Sequence, residues 1–417
     1  MNSRTRTIVI IFITVFLDML GITIVIPVIP ALFFEPDSMF FTNGYSMDQR
    51  SILYGLLIAA FPFMQFFGAP ILGTLSDRYG RKPVLSLSLV GTLIGYLLFA
   101  FAILTHNLWL LFISRMIPGF MGGNISIIMS SISDVSDEVN KARNFGMVGA
   151  AFGIGFILGP SIGGLLADDQ LVSWFNHATP FWFTSILTFI NIIFVRFLFK
   201  ETLDSTRDVE ITVFRGLKNV ATSFRTAKLR NIFIVVLLLS LGFSFFTQFF
   251  SVLLIQKFSF AEKDIGFLYG WVGLWLVFTQ AVLVRKLSGR VASERILMFT
   301  PLALAISVGI IVVPDQSFWF YIINPAIAMA QGMTSPNMMT VVSRQAGRSH
   351  QGEILGINQS MNSIGQTIPP LIAGYLNTLN GSLPIISGAI CIFCGWLIYV
   401  FLFDRKNRES APNPDMA

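Results

Sequence analysis

The sequence predicts an all-α membrane protein whose twelve transmembrane helices form two six-helix pseudo-repeat bundles. Three observations carry the prediction. Apolar runs of about 20 residues recur along the chain, Lys and Arg gather in alternate loops, and the longest polar stretch divides the runs six and six. Of the 417 residues, 54% are hydrophobic and 12% charged, about half the charged share of an ordinary soluble domain, and the mean hydropathy is +0.72. Soluble helices carry a polar stripe, and these runs have none. Backbone groups left unpaired in hydrocarbon are costly, and no run alternates like a barrel strand, so each run is expected to be an α-helix.

The runs fall at 7–33, 52–75, 83–104, 107–132, 145–167, 180–199, 231–256, 265–286, 295–313, 317–341, 353–377 and 383–403. Basic residues set their direction. Arg4 and Arg6 precede run 1, Arg78, Arg81 and Lys82 follow run 2, Lys141 and Arg143 follow run 4, and seven Lys and Arg lie from Lys200 to Arg230. Arg285, Lys286, Arg290 and Arg295, then Arg344 and Arg348, then Arg405, Lys406 and Arg408 continue the pattern, while the intervening loops hold only Arg50, Lys257 and Lys263. The positive-inside rule therefore expects both termini and the middle loop in the cytoplasm. The expected organisation is a first bundle at 1–200, a linker at 201–230, a second bundle at 231–404 and a tail at 405–417.

Run 1 reads Leu17-Asp18-x-x-Gly21 and continues to Pro27 and Pro30, too long for a signal segment and without a cleavage site. Asp18 is the carboxylate clearly inside an apolar run, so its protonation should respond to which side supplies water and to a bound cation. Run 2 carries Gln65 and ends in Gly73-Thr-Leu-Ser-Asp77-Arg78-Tyr-Gly80-Arg81-Lys82-Pro83, a tight loop with a proline suited to the first turn of run 3. Run 4 contains Arg115, which costs at least about 2.5–3.5 kcal/mol in the bilayer centre unless paired or hydrated, and so is expected to face the interior. Asn124 and, just beyond the run, Asp134 lie further along.

In run 5 the spacing of four between Gly149 and Gly153, and among Gly155, Gly159 and Gly163, puts small residues on shared faces that another helix can approach; Pro160 and Gly164 complete the segment. Gly153-x-Gly155 is no dinucleotide loop, since no strand precedes it. Phe245, Gln248 and Phe249 of run 7, Trp271 of run 8, Gln331 of run 10 and Asn358 and Asn362 of run 11 supply aromatic walls and uncharged amides. With Gln65 and Asn124 they are expected to line a cavity for an amphiphilic compound. Shifting the chain by 210 residues lays Gly146, Pro160 and Gly164 on Gly356, Pro370 and Gly374, and Gly122 on Gly332, which reads as a parallel repeat of six helices.

The loop after run 2 resembles that of the major facilitator superfamily, G-x-x-x-D-R-x-G-R-[RK], at every fixed position, and the six-plus-six layout extends the resemblance over the chain. In that family the motif latches the halves when the cavity faces outward. The resemblance implies that Gly73, Asp77, Arg78, Gly80 and Arg81 form a cytoplasmic latch, Asp77 meeting the start of run 11 near Gly352 and Arg78 or Arg81 meeting Asp134. The second copy, Arg285-Lys286-Leu-Ser-Gly289-Arg290, lacks the aspartate and implies a weaker latch. Run 4 is similar to the family's helix whose arginine is implicated in proton transfer, and run 5 to the G-x-x-x-G-P-x-x-G-G motif of its antiporters. Run 1 resembles the tetracycline-exporter-like drug:proton antiporters, with Asp18 as coupling acid.

The expected function is thus a proton-coupled antiporter exporting a small lipophilic or cationic compound by alternating access. The alternative is a proton-coupled importer, or a metabolite or siderophore exporter, on the same fold. No enzyme is expected, because no His/Cys/Asp constellation and no G-x-x-x-x-G-K-[ST] occurs. No cofactor is expected, the proton gradient being the energy source, and no nucleic acid, since the net charge of +6 resides in loops. His106, His177 and His350 share no ligand spacing and Cys391-x-x-Cys394 lies within run 12, so no metal is expected. The expected partners are the substrate, protons and the bilayer. The expected state is a monomer crossing a cytoplasmic or inner cell membrane many times.

Overall fold

The computed structural model describes residues 3–35, 38–41, 44–136, 141–203, 221, 227–287, 290–344 and 351–404. Most of the expected linker and the whole expected tail, with Gly289 of the second loop copy, lie outside them. Among the described residues the chain forms twelve long helices. These are α1 (Arg6–Phe34), α2 (Met47–Tyr79), α3 (Arg81–Leu104), α4 (Leu108–Val135), α5 (Lys141–Ala167), α6 (Thr179–Leu198), α7 (Ala227–Phe258), α8 (Glu262–Leu287), α9 (Ser293–Ile310), α10 (Phe320–Arg344), α11 (Gln351–Leu379) and α12 (Leu383–Phe401). Ten are long and apolar enough to cross a membrane. The other two, α10 and α11, have the length but carry Pro and amides, several of which, Asn324, Asn337 and Asn358, are buried.

Several helices are interrupted where the sequence weakens the ladder. α1 turns at Ile24, because Pro27 has no N–H for the carbonyl of Thr23. The Thr23 hydroxyl turns back onto Met19 O at 2.7 Å and crosses to Gly155 O of α5 at 3.1 Å. α4 tightens into a 3₁₀ turn at Gly122–Asn124, just after Pro118, and Gln65 Nε2 of α2 donates to Gly122 O at 3.0 Å. α8 carries a π-helical segment at Thr279–Val284.

Three apolar cores hold the helices. One lies in α1–α6 around Ile11, Leu89, Ile128 and Phe199; one lies in α7–α12 around Phe250, Leu268, Phe320 and Tyr399. The third joins the bundles, packing Phe33, Phe34 and Tyr54 of α1 and α2 with Phe245, Phe249 and Val252 of α7 and Ala373 of α11. Phe249 is wholly buried and its ring meets Tyr54 edge-on with centroids 5.2 Å apart, while the Tyr54 hydroxyl donates to Gln248 O at 2.7 Å. On the outer surface Phe101, Ile186, Phe197, Leu274 and Phe401 are exposed, as apolar solvent allows.

Two further seams join the bundles, and each copies the other. Where α2 crosses α11, a Cβ on Gly55 would strike Pro370 O and lie 3.2 Å from Gly374 Cα. Where α8 crosses α5, a Cβ on Gly266 would lie 2.7 Å from Pro160 O and 3.4 Å from Gly164 Cα. Pro160 and Gly164 are the residues that the 210-residue shift lays on Pro370 and Gly374. Both seams close at the end of the molecule opposite the Gly73–Pro83 loop, since α5 and α11 end there and α2 and α8 begin there.

Candidate transport site

The polar centre of the first bundle is assembled around the break in α4. A regular helix would carry Asn124 elsewhere; the 3₁₀ turn aims its amide across to α1, where Nδ2 donates to Asp18 Oδ2 at 2.8 Å. Asn124 is only 3% exposed, whereas Asp18 is half-buried. One turn along α1, Gly21 leaves the space that the Tyr96 hydroxyl of α3 fills. Tyr96 lies within electrostatic reach of both Asp18 and Arg115. Arg115, 7% exposed, stands over the Phe61 ring with its guanidinium carbon 5.0 Å from the centroid, and its Nε finds no hydrogen-bond acceptor among the described residues. Asp18 and Arg115 form no ion pair with each other among the described residues.

The amides and aromatics expected to line a cavity are distributed over four places. Gln65 and Asn124 belong to the polar centre; Phe245, Gln248 and Phe249 belong to the apolar seam between bundles. Trp271 lies on the outer side of α8 with exposed Phe267 and Leu274, its indole N–H bonded to Tyr321 O at 2.9 Å, along a lateral groove of about 470 Å³. On the α10–α11 side, Asn358 Nδ2 points at Met339 Sδ, 3.7 Å away, Asn362 O accepts the Ser240 hydroxyl at 3.3 Å, and Gln331 is half-buried.

Helix α5 works as a two-faced spacer. Gly155, Gly159 and Gly163 lie against residues 16–24 of α1: a Cβ at Gly155 would be 2.7 Å from Met19 Cβ, at Gly159 it would strike the Thr23 hydroxyl, and at Gly163 the carbonyl of Ile24. The other face meets α8. Gly164 lies against Glu262 O, 2.5 Å from where its Cβ would be, and Ser161 Oγ donates to Gly266 O at 3.1 Å. Toward the loop end the fit loosens: a Cβ at Gly153 would be 3.9 Å from Gln280 Oε1 and Val277, and at Gly149 it would meet nothing within 4 Å.

At the loop end, Arg81 gathers the charges. Its side chain bonds Asp77 Oδ1 at 2.6 Å, Ser76 Oγ at 2.7 Å and Asp134 Oδ2 at 3.1 Å, so it is Arg81 that reaches α4, while Arg78 lies beside the Tyr79 ring. Gly73 packs against Ser126. The contact expected of Asp77 with the start of α11 involves residues 351–356, whose side chains lie outside those described. Gly80 has φ +99°, and a Cβ there would be 2.7 Å from Glu201 Oε2. Glu201, just after α6, accepts the N–H groups of Arg81 at 2.9 Å and Lys82 at 3.1 Å, capping α3. Partial burial works against its charge, but these bonds and those from Thr202 and Leu203 hold its carboxyl below the ordinary range. Sequence reading missed Glu201 because its partners belong to a distant helix.

The closed end carries its own charges. His177, in the α5–α6 loop, places Nε2 2.5 Å from Glu262 Oε1 of α8 and 3.8 Å from Glu35 Oε2 at the end of α1; beside it, Lys263 Nζ lies 3.3 Å from Asp168 Oδ2. His177 shares no spacing with Glu35 and Glu262 in the sequence, and only the fold brings one polar atom of each of the three within 4.8 Å of the others.

Comparison with known proteins agrees with this architecture. The profile of the Major Facilitator Superfamily matches residues 11–368 and 315–417. The chain is 30% identical over 424 residues to the class H tetracycline resistance protein of Pasteurella multocida, covering 97% of this chain and 98% of that protein. It is 28% identical over 417 residues to the quinolone resistance protein NorA of Staphylococcus aureus, covering 99% and 100%. Among solved structures, the human organic anion transporter MFSD10 (TETRAN) superposes with a TM-score of 0.74 at 22% identity, covering 96% of this chain and all of that one, a likeness of fold alone.

Proposed function

The chain belongs to the Major Facilitator Superfamily, and from that membership we propose that it is a proton-coupled antiporter that exports a small amphiphilic compound, lipophilic or cationic, by alternating access. The chain is a secondary transporter related to drug efflux proteins. The tetracycline and quinolone resistance named for its relatives supports an aromatic, amphiphilic cargo for this chain too. The bundles are residues 1–200 and 231–404, and the end carrying the Gly73–Pro83 loop and the termini faces the cytoplasm, on the distribution of Lys and Arg. On that orientation the two sealed glycine seams lie on the outer side, which supports reading this arrangement as inward-facing.

The observation that carries the reading is the partly buried hydrogen bond between Asp18 and Asn124, set in mid-helix in the bundle that also holds buried Arg115. A carboxyl held by a single amide can exchange that partner for a proton or a cationic cargo without leaving its place. Arg115, anchored on the Phe61 ring, is a second buried charge of the same bundle. One proton moving inward supplies about 2.3 kcal/mol per 100 mV and about 1.4 kcal/mol per pH unit, enough to concentrate a neutral substrate several-hundredfold.

A growth test checks the reading. Cells overproducing the chain are expected to tolerate one or more amphiphilic aromatic toxins, and cells producing Asp18→Asn at equal abundance are expected to lose that tolerance. Equal tolerance in both would refute the role given to Asp18.

A further inference from the structure

We infer that Glu262, in the first turn of α8, grips protonated His177 across the seam between the bundles and so acts as a pH-sensitive lock on the closed end. The inference rests on the alternating-access part of the proposed function and not on proton coupling at Asp18. His177 belongs to the α5–α6 loop of the first bundle and Glu262 to the second, so their contact exists only while this end is shut. The contact is built. Asn176 Oδ1 accepts the N–H of Ala178 at 2.9 Å, and the N–H of Asn176 donates to Thr179 Oγ1 at 2.9 Å, fixing the turn that presents the imidazole. On the other side Gly164 packs directly against Glu262 O.

The spacing distinguishes a proton from a metal ion. Two ligands of one divalent ion, each about 2.0–2.2 Å from it in tetrahedral geometry, stand more than 3 Å apart. His177 Nε2 and Glu262 Oε1 are 2.5 Å apart, too close to ligate one divalent ion together, so they meet as a charge contact, without the alignment of a hydrogen bond.

Among the described residues, the charged groups around the imidazole favour its cationic form or are engaged elsewhere. Glu35 approaches from α1 and Glu262 from α8, Asp169 lies in the same loop, Asp168 pairs with Lys263, Asp264 accepts the N–H of Ala261, and Arg50 of α2 is turned to the carbonyls of Glu35 and Phe41. Burial opposes the charge on His177, but the close carboxylate of Glu262, with Glu35 and Asp169, outweighs it and raises the pKa over the ordinary histidine value. The lock is therefore complete below the ordinary histidine range and is lost as the pH rises through the raised value of the closed end. Opening of this end should become about tenfold easier for each unit by which the closed-state pKa exceeds that of the opened loop.

The test is a distance measurement by pulsed electron resonance between labels at Leu171 and Val313, both exposed at this end, after replacement of Cys391 and Cys394 with serine. It is made on full-length protein without substrate, from about pH 5 to about pH 9, in an Asp18→Asn background that silences the central carboxyl. The long-distance population is expected to grow severalfold with pH in that background. His177→Gln and Glu262→Gln should each abolish the step and show the open end at all pH values, and His177→Lys should stay closed to higher pH. A pH step that survives His177→Gln, or one present only when Asp18 is intact, overturns the lock. One short distance in every sample at every pH overturns the alternating-access reading and the lock together.

Discussion

Asp18 and Asn124 meet because one turn of α4 is wound too tightly, and the consequence for each residue can be measured separately. Replacing Asn124 with leucine leaves the carboxyl without its N–H donor, and a hydrogen bond to a charged group contributes about 1.5–3 kcal/mol. Initial rates of substrate-driven proton release in liposomes are expected to fall about ten- to hundredfold for Asn124→Leu at unchanged abundance; a rate like that of the parent would mean that the bond is incidental. Glu201 makes a different kind of contact, four backbone N–H groups on one carboxylate. Its pKa lies below the ordinary value of 4.5, so its contribution is present above that value and is lost as the pH falls through the lowered one. Because the group is partly exposed, solvent screening keeps the effect to about 1 kcal/mol, and Glu201→Gln is expected to lower the melting temperature at neutral pH by a degree or two while the two proteins converge in acid. A melting difference that persisted in acid would contradict this account. Asp18, Arg115 and Asp77 were legible in the sequence because charges in or beside apolar runs are expensive and so stand out. Asn124 was visible as an amide with no partner named, and Glu201 and Glu262 were not singled out, because an acid outside the apolar runs costs nothing until a distant element meets it.

Among the elements, the paired seams divide the glycines into those that touch and those that do not. Gly164 and Gly374 each receive a backbone carbonyl from the opposite bundle, 2.5 and 2.7 Å from where a Cβ would stand, whereas a Cβ at Gly149 meets nothing within 4 Å. Overpacking costs about 1–3 kcal/mol, so Gly164→Val and Gly374→Val are expected to move the population toward an open outer end by roughly five- to hundredfold. Gly149→Ala is expected to leave it in place. Accessibility of a cysteine introduced at Ser161 to a polar thiol reagent from outside reads the shift; equal accessibility in all three variants would mean that the seams do not set the equilibrium. The spacing of four in α5 foretold close approach, yet which helix approaches which face is a three-dimensional fact: α1 takes 155, 159 and 163, and α8 takes 164. The 210-residue repeat was legible as a coincidence of Gly and Pro, and its meaning, two equivalent crossings of helices, emerges only when Gly55 and Gly266 are seen against Pro370 and Pro160. Trp271 illustrates the converse. Aromatic residues suit a cavity wall and a lipid-facing groove equally, so composition alone could not place it.

For the whole molecule, apolar runs and loop charges suffice to specify twelve helices in two bundles, because hydrocarbon leaves the backbone no other way to pair its groups. In the proposed cycle, direction and coupling depend on how the bundles rock about the seams while one carboxyl in the centre changes partners. The most direct measurement is therefore of proton movement against cargo in liposomes holding the purified protein and a pH-sensitive dye. Substrate added under a pH gradient is expected to release protons from the parent, and Asp18→Asn is expected to abolish that release while still exchanging labelled for unlabelled substrate. Proton release from Asp18→Asn equal to that of the parent would contradict the account.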